Sequence, residues 1–262
     1  MIIDFHTHVF PDKIAHKTIE LLSERADIPS YSMGDVETTL KSMDEAEIDI
    51  SVVLGIATNA KQNENVNNFA IELNKHERFV AFGSVHPEAN WRYELDRLSD
   101  SGIKGIKLHP DYQDFFVDDE KMQPIYEYIL KKDFIISFHS GLDLGLPEPI
   151  HCTPERISNT LSLFSGEKVV FAHMGSMADF EGCSKYLWGR DVYIDNSVFP
   201  FYTDSEKHKA AILSHSEDKI LFATDLPWSS QAESVKKLKE LDLGEEKTEK
   251  ILYKNAVKIL GI

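Results

Sequence analysis

The sequence predicts an α/β protein folded as one closed (β/α)8 barrel of the TIM type. Three observations lead there. Short apolar runs of β-type residues alternate about eight times with amphipathic segments of helical period, and such alternation demands a parallel sheet with helices as crossovers. The chain has 262 residues, of which 42% are hydrophobic, enough for one large core rather than two small ones. Eight such units in about 250 residues match a closed barrel better than an open doubly wound sheet. We read residues 1–262 as a single domain without linker, repeat or low-complexity segment.

The runs are Ile2 to Phe5, Ile48 to Ile56, Phe79 to Val85, Ile103 to Leu108, Phe134 to Phe138, Val169 to Ala172, Val192 to Ile194 and Ile220 to Ala223. The first leads into His6-Thr7-His8, and alternation along a strand puts the two imidazoles on one face. Residues 10–34 form a long connection, expected to hold a helix and a mobile cap over the barrel mouth. Val36, Leu40 and Met43 share one helical face, as do Ile125, Tyr128 and Ile129. Asp35 and Thr153 stand where N-caps belong, the second followed by Pro154 at the first helical position. The charged stretch from Glu245 to Lys250 reads as the solvated face of the last helix, with Ile251, Leu252 and Ile259 turned inward.

Composition excludes several classes of function. A net charge of −16 and a pI near 5.1 have the wrong sign for a nucleic-acid backbone or an anionic membrane surface. Cys152 and Cys183 form no disulfide or zinc-finger spacing, so a reducing cytoplasm is the expected compartment. Asp4 and His6 interrupt what a secretory leader would need, and no stretch approaches a membrane span. The expected partner is a small molecule, with a homodimer as the assembly allowed for.

The strand ends read His6-Thr7-His8, Ser84-Val85-His86-Pro87, Lys107-Leu108-His109-Pro110, Phe138-His139, Ala172-His173 and Ala223-Thr224-Asp225. Scattered histidines would fall on helices and loops as well, so this clustering points to a mononuclear or polynuclear metal site. Imidazole suits zinc, iron, nickel and copper alike, and the pair names no metal. His86 and His109 either line the pocket or bond to turn backbone. Arg156 either clamps a substrate carboxylate or makes a surface ion pair. Phe199, Phe201, Tyr202 and Trp228 either wall a flat substrate or pack within loops, and Asn196 faces substrate or holds a turn. His16, His76, His208 and His215 fall on helical stretches and read as solvated.

Taken together, His6-Thr7-His8, Gly105-Ile-Lys-Leu-His-Pro110, Phe138-His-Ser-Gly141, Ala172-His-Met-Gly175, Thr224-Asp-Leu-Pro-Trp228 and Asn255-Ala-Val-Lys-Ile-Leu260 resemble the amidohydrolase superfamily. The similarity is greatest to the amidohydrolase-related branch that includes aminocarboxymuconate-semialdehyde decarboxylase. The resemblance spans the chain in order. It implies one divalent metal, often zinc, with manganese or a second metal as alternatives. It also implies His6, His8, His139 and Asp225 as ligands, and His173 as the acid/base with Asp225 sharing the proton work.

The function this implies is that of a metal-dependent hydrolase of a small cyclic or carboxylated substrate, using water activated by the ion. A non-oxidative decarboxylase of an aromatic or unsaturated acid needs the same ligands and stands beside it. Lys107 resembles the lysine that, carboxylated, bridges two metals in dihydroorotase-like branches. It would otherwise pair with Asp4 or another carboxylate, or bind substrate together with His109, Arg156 and Trp228. A non-catalytic metal protein and a polymerase-associated histidinol-phosphatase-like fold complete the alternatives, and Thr224-Asp-Leu-Pro-Trp228 suits the latter poorly. Because the acidic chain repels anions at long range, concentrated positive charge at Lys107 and the ion points to an anionic substrate.

Overall fold

The computed structural model describes residues 1–262. Eight parallel strands follow one another in chain order: β1 (Ile3–Thr7), β2 (Ile50–Leu54), β3 (Phe79–Ser84), β4 (Gly105–Leu108), β5 (Ile135–Phe138), β6 (Val169–Phe171), β7 (Tyr193–Asp195) and β8 (Ile220–Leu221). Each begins in one of the apolar runs, and β1 continues past its run to Thr7 and β7 to Asp195. The first and last strands meet, with Thr7 bridged to Leu226. The Phe5 amide donates to Phe222 O at 2.8 Å, His8 to Leu226 O at 2.7 Å and Asp225 to His6 O at 2.7 Å. That closure makes the sheet a barrel and brings the two ends of the chain's chemistry together.

The longer helices are α1 (Asp12–Ala26), α2 (Val36–Glu45), α3 (Asn63–Leu73), α4 (Trp91–Asp100), α5 (Gln123–Lys131) and α6 (Pro154–Phe164). They are followed by the short α7 (Phe180–Gly182) and α8 (Phe199–Tyr202), then α9 (Ser205–Leu213), α10 (Gln231–Glu240), α11 (Glu245–Glu249) and α12 (Asn255–Leu260). Asp35 caps α2, its Oδ1 accepting from the Thr38 amide at 2.7 Å. Thr153 caps α6, accepting from the Arg156 amide at 3.3 Å. Connection 10–34 does hold a helix, α1. No helix is long and apolar enough to cross a membrane.

Two layers of core arise from strand alternation. Ile3, Phe5, Val52, Leu54, Phe82, Val170 and Leu221 pack with the last helix, α12. The opposite faces, among them Val53, Ile106, Phe138 and Phe171, join the larger core that includes residues of the surrounding helices. By strict alternation Phe5 and His6 would face opposite ways. A register shift between Asp4 and Thr7 sets three residues of β1 against two of β2, and such a bulge re-aims side chains beside a site. Asp4 thereby bonds to the Thr224 hydroxyl at 2.6 Å and to Gln231 at 2.8 Å, while His6 joins His8 at the mouth.

Two of the histidines read as solvated are buried. His215 accepts from the Gly189 amide at 3.1 Å and donates through Nε2 to Val192 O at 2.9 Å. His208 packs against Phe199. His215 follows the end of α9 and bonds back to the residue before β7, while His208 lies within α9 against α8, placements helical period does not reveal. His16 is exposed and bonds to Asp35.

Candidate active site

The site assembles at the C-terminal ends of the strands. His8 Nε2 lies 3.0 Å and His6 Nε2 3.3 Å from the same oxygen, Oδ1 of Asp225. The other ring nitrogens are held from behind. His8 Nδ1 donates to Leu54 O at 2.8 Å, and His6 Nδ1 to Asp195 Oδ2 at 3.0 Å. Each bond fixes the tautomer that turns the Nε2 lone pair inward. Asp225 Oδ1 is buried and accepts no hydrogen bond, so three electron-pair donors converge without a proton between them. A divalent cation is the group such a set is built to hold.

A second chain of contacts orients the remaining histidines. The Ser197 hydroxyl donates to Asp195, which leaves its oxygen to accept from His173 Nδ1 at 2.9 Å. His173 Nε2 then accepts from His139 Nδ1 at 3.2 Å. His139 Nε2 is left buried, unpaired and free to donate to an ion. His139 nevertheless stands apart from the compact trio, grouping with His109 and Asp143 instead. Its ring stacks on His109 at 4.0 Å, and His109 Nε2 lies 3.2 Å from Asp143.

The electrostatics fit this arrangement. Burial alone would raise the Asp225 carboxyl, but the His6 and His8 imidazoles hold it far below the usual range. Asp195, equally buried, is brought down to about 2 by His6 and the Ser197 hydroxyl. Burial, reinforced by Lys107, lowers His6 to about 4, and burial also pushes His109 and His139 well down. These three are therefore neutral at pH 7, as ligation requires. Burial lowers the Lys107 ammonium to about 8, with Asp195 and Asp225 pulling the other way. Its Nζ stands 3.4 Å from His6 Nε2, and Asp4 is not among its partners. The backbone is left-handed at His173 (φ 58°), Met174 (φ 58°) and Asp225 (φ 66°). Strain of this kind persists where surrounding structure enforces it, and it gathers at functional sites.

The other sequence expectations divide. Lys107, His109, Tyr202 and Trp228 line one cavity with His8, His139, His173 and Asp225. Arg156 does not: it lies on α6, paired to Asp118 at 2.6 Å and stacked over Phe116 at 4.0 Å, so the surface ion pair is the correct reading. His86 accepts from the Glu88 amide at 3.2 Å and stays out of the cavity. Asn196 does neither of the things expected of it: it lies outside the cavity and ties the end of β7 to the backbone after β8, accepting from the Ala223 amide at 2.9 Å. Phe199 is wholly buried, and Phe201 packs under Lys237. Sequence reading missed Asp195, Ser197 and Asp143. The first two flank Asn196 at a strand end, and that position was the signal that could have found them; Asp143 lies in a loop and offered none.

A buried cluster of imidazoles and carboxylates at the mouth of a (β/α)8 barrel, with a lysine beside it, defines a metal-dependent barrel enzyme. The chain belongs to the amidohydrolase family, whose sequence profile matches residues 3–262. Among solved structures it is similar in fold to 5-carboxyvanillate decarboxylase from Sphingomonas paucimobilis, at 15% identity and a TM-score of 0.73, covering 100% of this chain and 99% of that one. A dihydroxybenzoic acid decarboxylase from Polaromonas sp. JS666, with bound manganese and 2-nitroresorcinol, aligns at 17% identity and a TM-score of 0.72, covering 99% and 96%. A probable 2-pyrone-4,6-dicarboxylic acid hydrolase from Acinetobacter baumannii aligns at 15% identity and a TM-score of 0.69, covering 100% and 99%. A search of curated proteins finds no match.

Proposed function

We propose that this protein is a metal-dependent hydrolase of a small, carboxylated cyclic ester, lactone or amide, with His6, His8 and Asp225 as the core of the metal site and His139 completing it. The observation that carries the reading is the convergence of His6 Nε2, His8 Nε2 and the unbonded Asp225 Oδ1. Two imidazoles and a carboxylate fit zinc, and manganese is the metal a protein of similar fold carries. When bound, such an ion polarises a carbonyl and lowers the pKa of water toward neutrality. Either Asp225 or His173, the latter set at the cavity by Asp195 and Ser197, receives the water's proton and returns it to the departing oxygen or nitrogen. Lys107 supplies a buried positive charge for the substrate carboxylate.

A second reading rests on a different observation. Tyr112, Tyr202 and Trp228 line the same cavity as Lys107, which suits a flat aromatic acid. The decarboxylases of similar fold act on such acids by name. Here the carbon–carboxylate bond breaks, carbon dioxide leaves, and His173 delivers a proton to the ring carbon. The deciding experiment runs one metal-loaded preparation against aromatic acids, scoring released carbon dioxide, and against carboxylated lactones and esters, scoring released acid. Turnover confined to the second panel supports hydrolysis; turnover confined to the first replaces it with decarboxylation.

A further inference from the structure

The cavity that begins at His8 and Asp225 does not end at the barrel mouth. One cavity of about 610 Å³ is lined by the mouth residues, by Val53, Leu54, Ala81 and Phe82 of β2 and β3, and by side chains of α1 and α3. On α1 it is lined by Ile14, Thr18, Leu21, Leu22 and Arg25, whose spacing of three and four places them on one helical face. Ala15 and Ile19, on another face of α1, are buried. On α3 the lining residues Asn65, Val66, Phe69, Ala70 and Leu73 repeat at the same period. At the floor, Gly55 leaves room that a side chain would take, since a Cβ there would stand 3.2 Å from Val66.

Charge is sorted along this space. Lys107, Asp143 and Asp225 lie near the histidines, Arg25 of α1 reaches over the Tyr112 ring at 5.7 Å, and α3 contributes no charged side chain to the lining. Where apolar side chains of α1 and α3 border open space they forgo dispersion contacts on that side. Ile14 and Leu21 are left 51% and 61% exposed, on a chain whose net charge is −16. An apolar group lying between the helices would recover the lost contacts and cover both side chains. The volume falls within the roughly 300–1,000 Å³ that encloses a ligand larger than a single ring.

We propose that the α1–α3 cleft is a subsite for an extended apolar part of the substrate, so that the enzyme acts on a carboxylic acid or ester bearing an alkyl or fused-ring portion beyond its reacting end. This inference rests on the reading of His6, His8 and Asp225 as that reacting end. The α3 face from Asn65 to Leu73 runs about 12 Å along the helix axis, which leaves room for several methylenes. Residues 10–34 therefore contribute a specificity wall, and changes on the cavity-lining side of α1 alter which chain length is preferred.

The test is calorimetric binding of 4-alkylbenzoates, from methyl to hexyl, to the metal-loaded protein and to the same protein stripped by a chelator. Each added methylene should tighten Kd roughly threefold to fourfold until the cleft is filled. Thr18→Trp on α1 and Val66→Trp on α3 fill the cleft from opposite sides, and each should flatten the dependence on chain length. Thr18 is half-exposed and tolerates a tryptophan even if Val66 does not. Equal affinity along the series overturns the proposal, as does a gain that survives both tryptophans. A flat series with a dimer that Leu21→Lys dissociates assigns the exposed face to contact between copies, and equally overturns it. The stripped arm keeps the two readings apart: a chain-length gain with carboxylate affinity indifferent to metal refutes the reacting-end reading and leaves the cleft standing.

Discussion

Asp195 shows how much of the site is decided by residues that touch no ion. Its carboxylate accepts from His6 Nδ1, the Ser197 hydroxyl and the His173 amide, so one side chain sets the tautomer of a ligand and the pose of the proposed acid/base. Asp195→Asn should weaken metal affinity roughly 10- to 100-fold, read by titration with a metal indicator. Unchanged affinity would reduce Asp195 to a structural role. His173→Asn should keep its metal by elemental analysis while losing roughly 10²–10⁴ in kcat, and a parallel loss of metal would make His173 a ligand. Lys107→Met should damage turnover of a carboxylate substrate far more than of its neutral ester, because only the former uses the charge. Equal damage to both would leave Lys107 as support for the fold.

Elements, rather than residues, aim these groups. The register shift in β1 lets Phe5 fill the interior while His6 and His8 both reach the mouth. Barrel closure then brings Asp225, on the backbone that follows β8, against them. The cap of α2 serves two elements: Asp35 accepts from the Thr38 amide and hydroxyl and also bonds His16 of α1 at 2.8 Å. Asp35→Ala should cost about 1 kcal/mol and lower Tm by about 2–4 °C, with metal content unaffected. Asp35→Asn, which still caps, should cost less. Calorimetry of both variants checks the order.

For the whole molecule, burial of His208 and His215 ties stability to pH. Burial pushes both down to about 4 from an ordinary 6.5, so between those values the unfolded chain binds protons the folded one refuses. Stability is therefore fully present above about pH 6.5 and falls as pH drops toward 4, by roughly 3 kcal/mol per histidine at the full extent. His208→Leu should make the urea midpoint fall less steeply between about pH 7 and 4.5. A slope identical to the parent's would mean that His208 titrates normally.

By itself the sequence determined the closed barrel, the position of all eight strands, the caps at Asp35 and Thr153, and the cluster of histidines at the strand ends. Those features are written in local chemistry, namely β-type apolar runs, helical period and polar residues placed just after them. Only the tertiary structure decided that Arg156 pairs with Asp118, that His208 and His215 are buried, that Asp195 and Ser197 stand behind the site, and that an apolar cleft opens between α1 and α3. Each of these depends on which surfaces meet across the fold, and a periodic pattern reports which face of a helix is apolar without reporting what, or whether anything, lies against it.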